Sequence, residues 1–296
     1  MLQEFKFGEF MIGDFKCLGW RLSQTDSEII ISQSEYIENK IKRVQIDTAN
    51  RDPKEELNSE EKSILRCAIG KMRWVCDHTL PDVSFDELEL SMKANKSVVN
   101  DVKLMNKVVN HIKNIQCDLK YRKLYGHIWY LTTFVDASKG ILPDGHSSAM
   151  GYLIWLTNGH SLGNPNPGNV LTWKSSKINR TVSSTFEAET LALTEAMDKS
   201  LLIRDQLLKL SGFPSELIKI EILTDCNNTV ESVYSTKQNT KGGRILVEIA
   251  KVKEAIERKE IERIKWIPTQ SMLADVLTKR GVNKAQLIEA LDFGRC

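Results

Sequence analysis

The run Trp129–Ser138, WYLTTFVDAS, constrains the chain more than any other stretch. Aromatic and β-branched residues carry no charge until Asp136. That pattern predicts a buried strand ending on one carboxylate at the rim of a sheet. A single Asp at a strand end is ordinarily a turn residue. Here three further acids fall at comparable points downstream: Glu189 in the first turn of an amphipathic helix predicted over 185–210, Asp225 at the end of the strand KIEILT, and Asp275 at the opening of a helix predicted over 272–279.

The pattern around them predicts strands at 129–135, 150–156, 170–173, 219–224 and 261–267, with shorter helices at 228–235 and 244–258. The order βββ-α-β-α-α-β-α predicts an α/β fold, a mixed five-stranded sheet with flanking helices. In such a sheet the ends of the first and fourth strands and the starts of two helices can converge. Taken singly, each acid has an ordinary structural reading as a turn cap or a complement to a helix dipole. Four converging carboxylates would instead repel one another unless cations neutralise them. Hard oxygen donors suit Mg²⁺ or Mn²⁺, and two such ions about 4 Å apart can clamp a scissile phosphate, one activating water and the other stabilising the leaving oxygen.

Residues 1–125 read differently. Two or three short strands are predicted within 5–32, then a helix at 33–43, a polar linker at 49–57, and α-rich sequence to residue 116. Within it a helix capped near Ser59 places Ile64, Cys67, Ile69 and Met72 inward. Helices at 85–93 and 97–116 follow, the last with Val98, Val102, Met105, Val109 and Ile112 at three- and four-residue spacing.

Charge limits what the chain can bind through its overall field. Residues 1–125 hold 20 basic and 20 acidic side chains and residues 126–296 hold 21 and 19, so neither half advertises nucleic-acid binding and any such contact must be local. The local candidates are Lys174, Lys177 and Arg180 after the third strand, Asn228, and Lys237, Lys241 and Arg244 in TKQNTKGGR. A second set, Lys93, Lys96, Lys103, Lys107 and Lys113, lies on the predicted helices of the first half. Both sets also read as ordinary solvated surface. No apolar run approaches the roughly 18 residues of a membrane span. The six cysteines form no CxxC pair, which predicts buried thiols in a reducing, intracellular and cytoplasmic setting.

The second half resembles the ribonuclease H domain of copia-type retrotransposon Pol polyproteins. The resemblance rests on FVDAS (134–138), LTWKSSK (171–177), SSTFEAETLAL (183–193), LTDCNN (223–228) and WIPTQSMLADVLTK (266–279). It implies a ribonuclease H-like sheet over 126–296 and a metal-binding set of Asp136, Glu189, Asp225 and Asp275, with Glu187 the alternative to Glu189. It further implies two Mg²⁺ or Mn²⁺ ions and endonucleolytic cleavage of RNA in RNA–DNA hybrids. The first half is similar to the segment that follows the polymerase site in the same elements, through FKCLG (15–19), ISQSEYI (31–37), GKMRWV (70–75) and LPDVSF (80–85). That implies a thumb- or connection-like reverse-transcriptase remnant over 1–125. It also implies a piece of a Pol polyprotein, with the cytoplasm, nucleus or virus-like particles as its setting and other Pol segments as partners. The chain departs from the family in several places, one being Phe186, which alters the serine–threonine run before the helix Glu. It contains no YxDD polymerase motif, so no polymerase activity is expected. Leu80 stands where the family usually has Arg. The loop before Asp275 has no His. The alternative function is a catalytically silent nucleic-acid-binding or structural relic.

Overall fold

The computed structural model describes residues 11–115, 118–158, 167–236 and 243–295. Lys237 and Lys241 lie outside them.

The chain begins with an antiparallel meander of β1 (Asp14–Cys17), β2 (Trp20–Gln24) and β3 (Glu28–Ser32). Leu18 and Gly19, at φ 51° and 85°, form the two-residue turn between β1 and β2. Positive φ at both positions matches the right-handed twist of the flanking strands. Four helices follow: α1 (Ser34–Lys40), α2 (Ser59–Cys76), α3 (Ser84–Lys93) and α4 (Val99–Asn114). Asn58, next to Ser59, caps α2. Its side chain accepts the Glu61 N–H at 2.9 Å, and the Glu61 carboxylate accepts the Asn58 N–H at 2.9 Å. The buried face of α2 is Leu65, Ile69, Met72, Val75 and Cys76, whereas Ile64 and Cys67 face solvent. The expected face was therefore rotated by one residue at its start, because i, i+3 spacing from Ile64 and i, i+4 spacing from Leu65 both reach later apolar positions. This face packs with Val102, Met105, Val109 and Ile112 of α4 into one core. The segment before the second half, expected only as a connection, is a strand, β4 (Leu119–Arg122), which returns to pair antiparallel with β3.

The second half is, as the sequence predicts, a mixed five-stranded sheet, and its strand order is β7-β6-β5-β8-β9. Its first three strands, β5 (Trp129–Ser138), β6 (Ala149–Thr157) and β7 (Gly168–Lys177), are antiparallel neighbours. The long helix α5 (Thr185–Ser211) then crosses one face and feeds β8 (Ile218–Thr224), which runs parallel to β5. Helices α6 (Asn227–Tyr234) and α7 (Gly243–Glu257) precede β9 (Arg263–Trp266), parallel to β8. One sheet face buries Leu131, Val135, Ile154 and Ile220 against Leu193, Ala196 and Met197 of α5 and Val252 of α7. The opposite face buries Phe134, Leu153, Trp155 and Leu223 under Leu273, Leu277 and Leu287.

The predicted closing helix is instead a 3-10 turn, Leu273–Leu277, followed by an unpredicted helix α8 (Ala285–Phe293). The reason is packing: all five residues of the turn are buried, a demand that a one-faced α-helix of the expected length does not meet.

The halves share contacts. Trp173 Nε1 donates to the Cys76 carbonyl at 2.8 Å, and Phe85 packs with Leu142 and Ala149. Arg280 Nε and Lys284 Nζ reach Glu89 and Asp86 on α3, at 2.8 and 2.7 Å.

Candidate active site

Parallel pairing of β5 with β8 builds the site. Phe134 and Leu223 are register partners, and each precedes its acid by two residues, so Asp136 and Asp225 reach the same sheet edge. Glu189 comes from the second turn of α5, which lies across that edge. Carboxylate oxygens of Asp136, Glu189 and Asp225 all lie within 4.8 Å of one another.

The start of α5 places its two glutamates differently. Ser184 caps the helix by accepting the Glu187 N–H at 3.1 Å. The Glu187 carboxylate turns back to accept from the Ser183 N–H and Oγ, both at 2.7 Å, which holds its pKa below the usual range. Glu187 is thus a helix-start acid, and Glu189, one side of the helix further round, points into the cluster.

The three acids differ in surroundings. Asp136 is 1% exposed, with Oδ2 accepting from Thr278 Oγ1 and Oδ1 accepting from Lys279 Nζ at 3.1 Å. Burial raises its pKa, against the pull of Lys279 and Thr278. Glu189 is 5% exposed, and its Oε2 is buried with no hydrogen-bond partner among the described residues. Burial, then Asp136 and Asp225, push its pKa well up, opposed by Lys279 and the Ala137 amide. Asp225 is half-buried, and Thr269 Oγ1 donates to its Oδ2 at 2.7 Å while Trp266 Nε1 donates to its carbonyl at 3.0 Å.

Asp275 is not brought into the three-acid group. Its Oδ1 accepts from Lys279 Nζ at 2.7 Å, so it meets Asp136 through that ammonium. Burial raises the Asp275 pKa and Lys279 opposes the rise.

A buried, partnerless carboxylate oxygen beside two further acids is costly in a metal-free protein. It fits a divalent cation, because all donors offered are hard oxygens. Asp136, Glu189 and Asp225 are the residues that would hold it.

The predicted basic contacts are mostly engaged within the chain. Lys174 pairs with Glu195, Lys177 with Asp144 at 3.4 Å, and Arg180 with Glu248. Asn228 and Arg244 are exposed in the first turns of α6 and α7. In the first half Lys93 turns inward to Glu89 and Asp101, at 2.9 and 3.1 Å, while Lys96, Lys103, Lys107 and Lys113 are exposed.

Sequence reasoning missed Thr269, Thr278 and Lys279 as partners of the acids. Their signal was present: Lys279 follows Asp275 by four residues in a stretch already notable for its acid, the spacing at which side chains on one helical turn meet.

No family model matches the chain. Among solved structures, ribonuclease H1 from the archaeon Halobacterium salinarum aligns at 16% identity over 55% of this chain and 98% of that one, with a TM-score of 0.36. LC11-RNase H1, isolated from compost by a metagenomic approach and solved in complex with an RNA/DNA hybrid, aligns at 20% identity over 53% and 99%, with a TM-score of 0.34. The prototype foamy virus protease–reverse transcriptase aligns at 16% identity over 56% of this chain and 20% of that one, with a TM-score of 0.31. With scores this low, the functional reading rests on the chain's own sheet order and acid cluster. By that order and its helices, the second half is an α/β domain built on a mixed five-stranded sheet.

Proposed function

We propose that this chain is a ribonuclease H-type endonuclease that hydrolyses the RNA strand of RNA–DNA hybrids with a divalent metal, Mg²⁺ or Mn²⁺. We further propose that it derives from the reverse transcriptase–ribonuclease H portion of a copia-type retrotransposon polyprotein, with residues 1–125 as the reverse-transcriptase-derived part. One observation carries the nuclease reading: Asp136, Glu189 and Asp225 converge from two parallel strand ends and a helix, with the buried Glu189 Oε2 left without a partner. The hybrid substrate and the element type rest on the motif resemblance.

The roles of the side chains follow from their contacts. Asp136, Glu189 and Asp225 bind the cation, which supplies the Lewis acidity that phosphodiester hydrolysis needs. Thr278 and Lys279 fix the Asp136 carboxylate, and Thr269 fixes that of Asp225. Lys177 and Arg180, exposed Arg244 and Asn228, and Lys174 meet the hybrid backbone, the paired lysines and arginine exchanging carboxylate partners for phosphates. A purified-protein assay with Mg²⁺ or Mn²⁺ tests the reading on one sequence presented as an RNA–DNA hybrid, as single-stranded RNA and as duplex DNA. Cleavage confined to the RNA of the hybrid is expected. Binding of the hybrid without cleavage, in every metal tried, would instead favour the silent relic, a reading to which the lysine among the acids lends weight.

A further inference from the structure

The carboxylates of Asp136 and Asp275 close on an ammonium. Lys279 Nζ stands 3.1 Å from Asp136 Oδ1 and 2.7 Å from Asp275 Oδ1. The backbone sets this up, because the Lys279 N–H donates to the Asp275 carbonyl at 3.0 Å and so places the lysine one turn beyond that acid. Its neighbour Thr278, fully buried, takes the other oxygen of Asp136. Just before it, the Leu277 carbonyl accepts from Ser175 Oγ at 2.6 Å, and just after it, Arg280 is bound to Glu89. The lysine is therefore held from both sides along the chain.

The result is an asymmetric site. Toward Glu189 and Asp225, Asp136 faces only acids, one of which has a bare buried oxygen. Toward Asp275 it faces the Lys279 ammonium. Resting on the metal-dependent reading above, we propose that Lys279 takes the place of a second cation. The chain binds one divalent ion, at Asp136, Glu189 and Asp225, and the Lys279 ammonium neutralises the Asp136–Asp275 side. A second divalent ion between those two acids would have to expel the ammonium or sit beside a like charge, and a lysine offers donors but no lone pair to a metal. This differs from the two-ion expectation drawn from the family resemblance. Lys279 acts here as a positioning residue, holding Asp136 and keeping Asp275 out of the metal's coordination sphere.

The test counts ions. Mn²⁺ is titrated into the full chain, and free Mn²⁺ is followed by electron paramagnetic resonance without nucleic acid. Wild type is expected to bind one ion per chain. Lys279→Met is expected to bind two, and the added site is expected to vanish in Lys279→Met combined with Asp275→Asn. Should Lys279→Met fail to fold, Asp275→Asn in the wild-type background decides alone: the single ion should lose no more than the roughly 10- to 100-fold of an outer-shell partner, since Asp275 is not its ligand. Two ions on wild type, or a loss well beyond about 100-fold in Asp275→Asn, would overturn the proposal while leaving metal-dependent cleavage standing. No ion on wild type would overturn both.

Discussion

Gly151 stands opposite Asp136 in the β5–β6 register, and a Cβ at Gly151 would lie 2.6 Å from Leu277 Cβ and 3.0 Å from Thr278 Cγ2. The glycine is needed for closeness rather than for unusual dihedrals. Its missing side chain lets the turn bearing Thr278 and Lys279 lie across the strand end that bears Asp136. Gly151→Ala should push that turn away, costing about 1–3 kcal/mol of stability. It should also lower kcat for hybrid cleavage at temperatures well below the variant's Tm, because both partners of Asp136 move. Thermal melts alongside steady-state kinetics check this. A lowered Tm with an unchanged kcat would show that the turn's contacts with Asp136 do not matter to the chemistry.

Glu189 makes stability depend on pH in a direction that can be worked out. Burial and the neighbouring acids raise its folded pKa above the ordinary 4.5. The stability it contributes is therefore complete below that ordinary value and is lost as pH rises toward the raised one. Asp136 acts in the same direction. In chelator, the Tm of Glu189→Gln should exceed that of wild type by a margin that widens from about pH 5 to about pH 9. Mg²⁺ should narrow the margin by stabilising wild type alone. A margin independent of pH would mean that Glu189 is no more reluctant to ionise than an exposed glutamate.

Arg122 and Asn169 bear on where the chain can be cut. The Asn169 side chain accepts the Arg122 N–H and donates to the Arg122 carbonyl, both at 2.8 Å, and Leu119 lies in the same apolar cluster as Phe134 and Trp155. The sequence suggests a boundary near residue 126, with all four candidate acids beyond it. A fragment 126–296 lacks both contacts, so it should melt well below the full chain, and a fragment beginning at residue 118 should recover part of the difference. Differential scanning calorimetry of the three proteins decides it. Equal melting of the shorter fragment and the full chain would show that β4 belongs energetically to the first half.

The acids were legible because each combined a local cue with a place in a repeating pattern: a β-branched strand ending on Asp136 or Asp225, and an apolar helix opening on Glu189. The five-stranded sheet followed from apolar, β-branched runs of the same kind. What was not legible depended on distant packing. Strand β4 is four residues long, and its pairing with β3 spans nearly ninety residues of chain, which no local pattern encodes. Leu273–Leu277 carried apolar residues that suit a helix, yet burial on every side makes it a tight 3-10 turn. The role of Lys279 depended on where that turn docks, and so on the absence of a side chain at Gly151.

The most direct measurement is Mg²⁺-dependent cleavage of an RNA–DNA hybrid by the full chain, compared with Asp136→Asn and Asp225→Asn variants shown to be folded by circular dichroism. Each variant removes a carboxylate from the convergent group while keeping its size. Wild type should cleave, and each variant should lose about 100-fold or more in kcat, the several kcal/mol expected when a cation loses its anchorage. Wild-type rates in both folded variants, or no cleavage by wild type in either Mg²⁺ or Mn²⁺, would contradict the assignment of this acid cluster as a nuclease site.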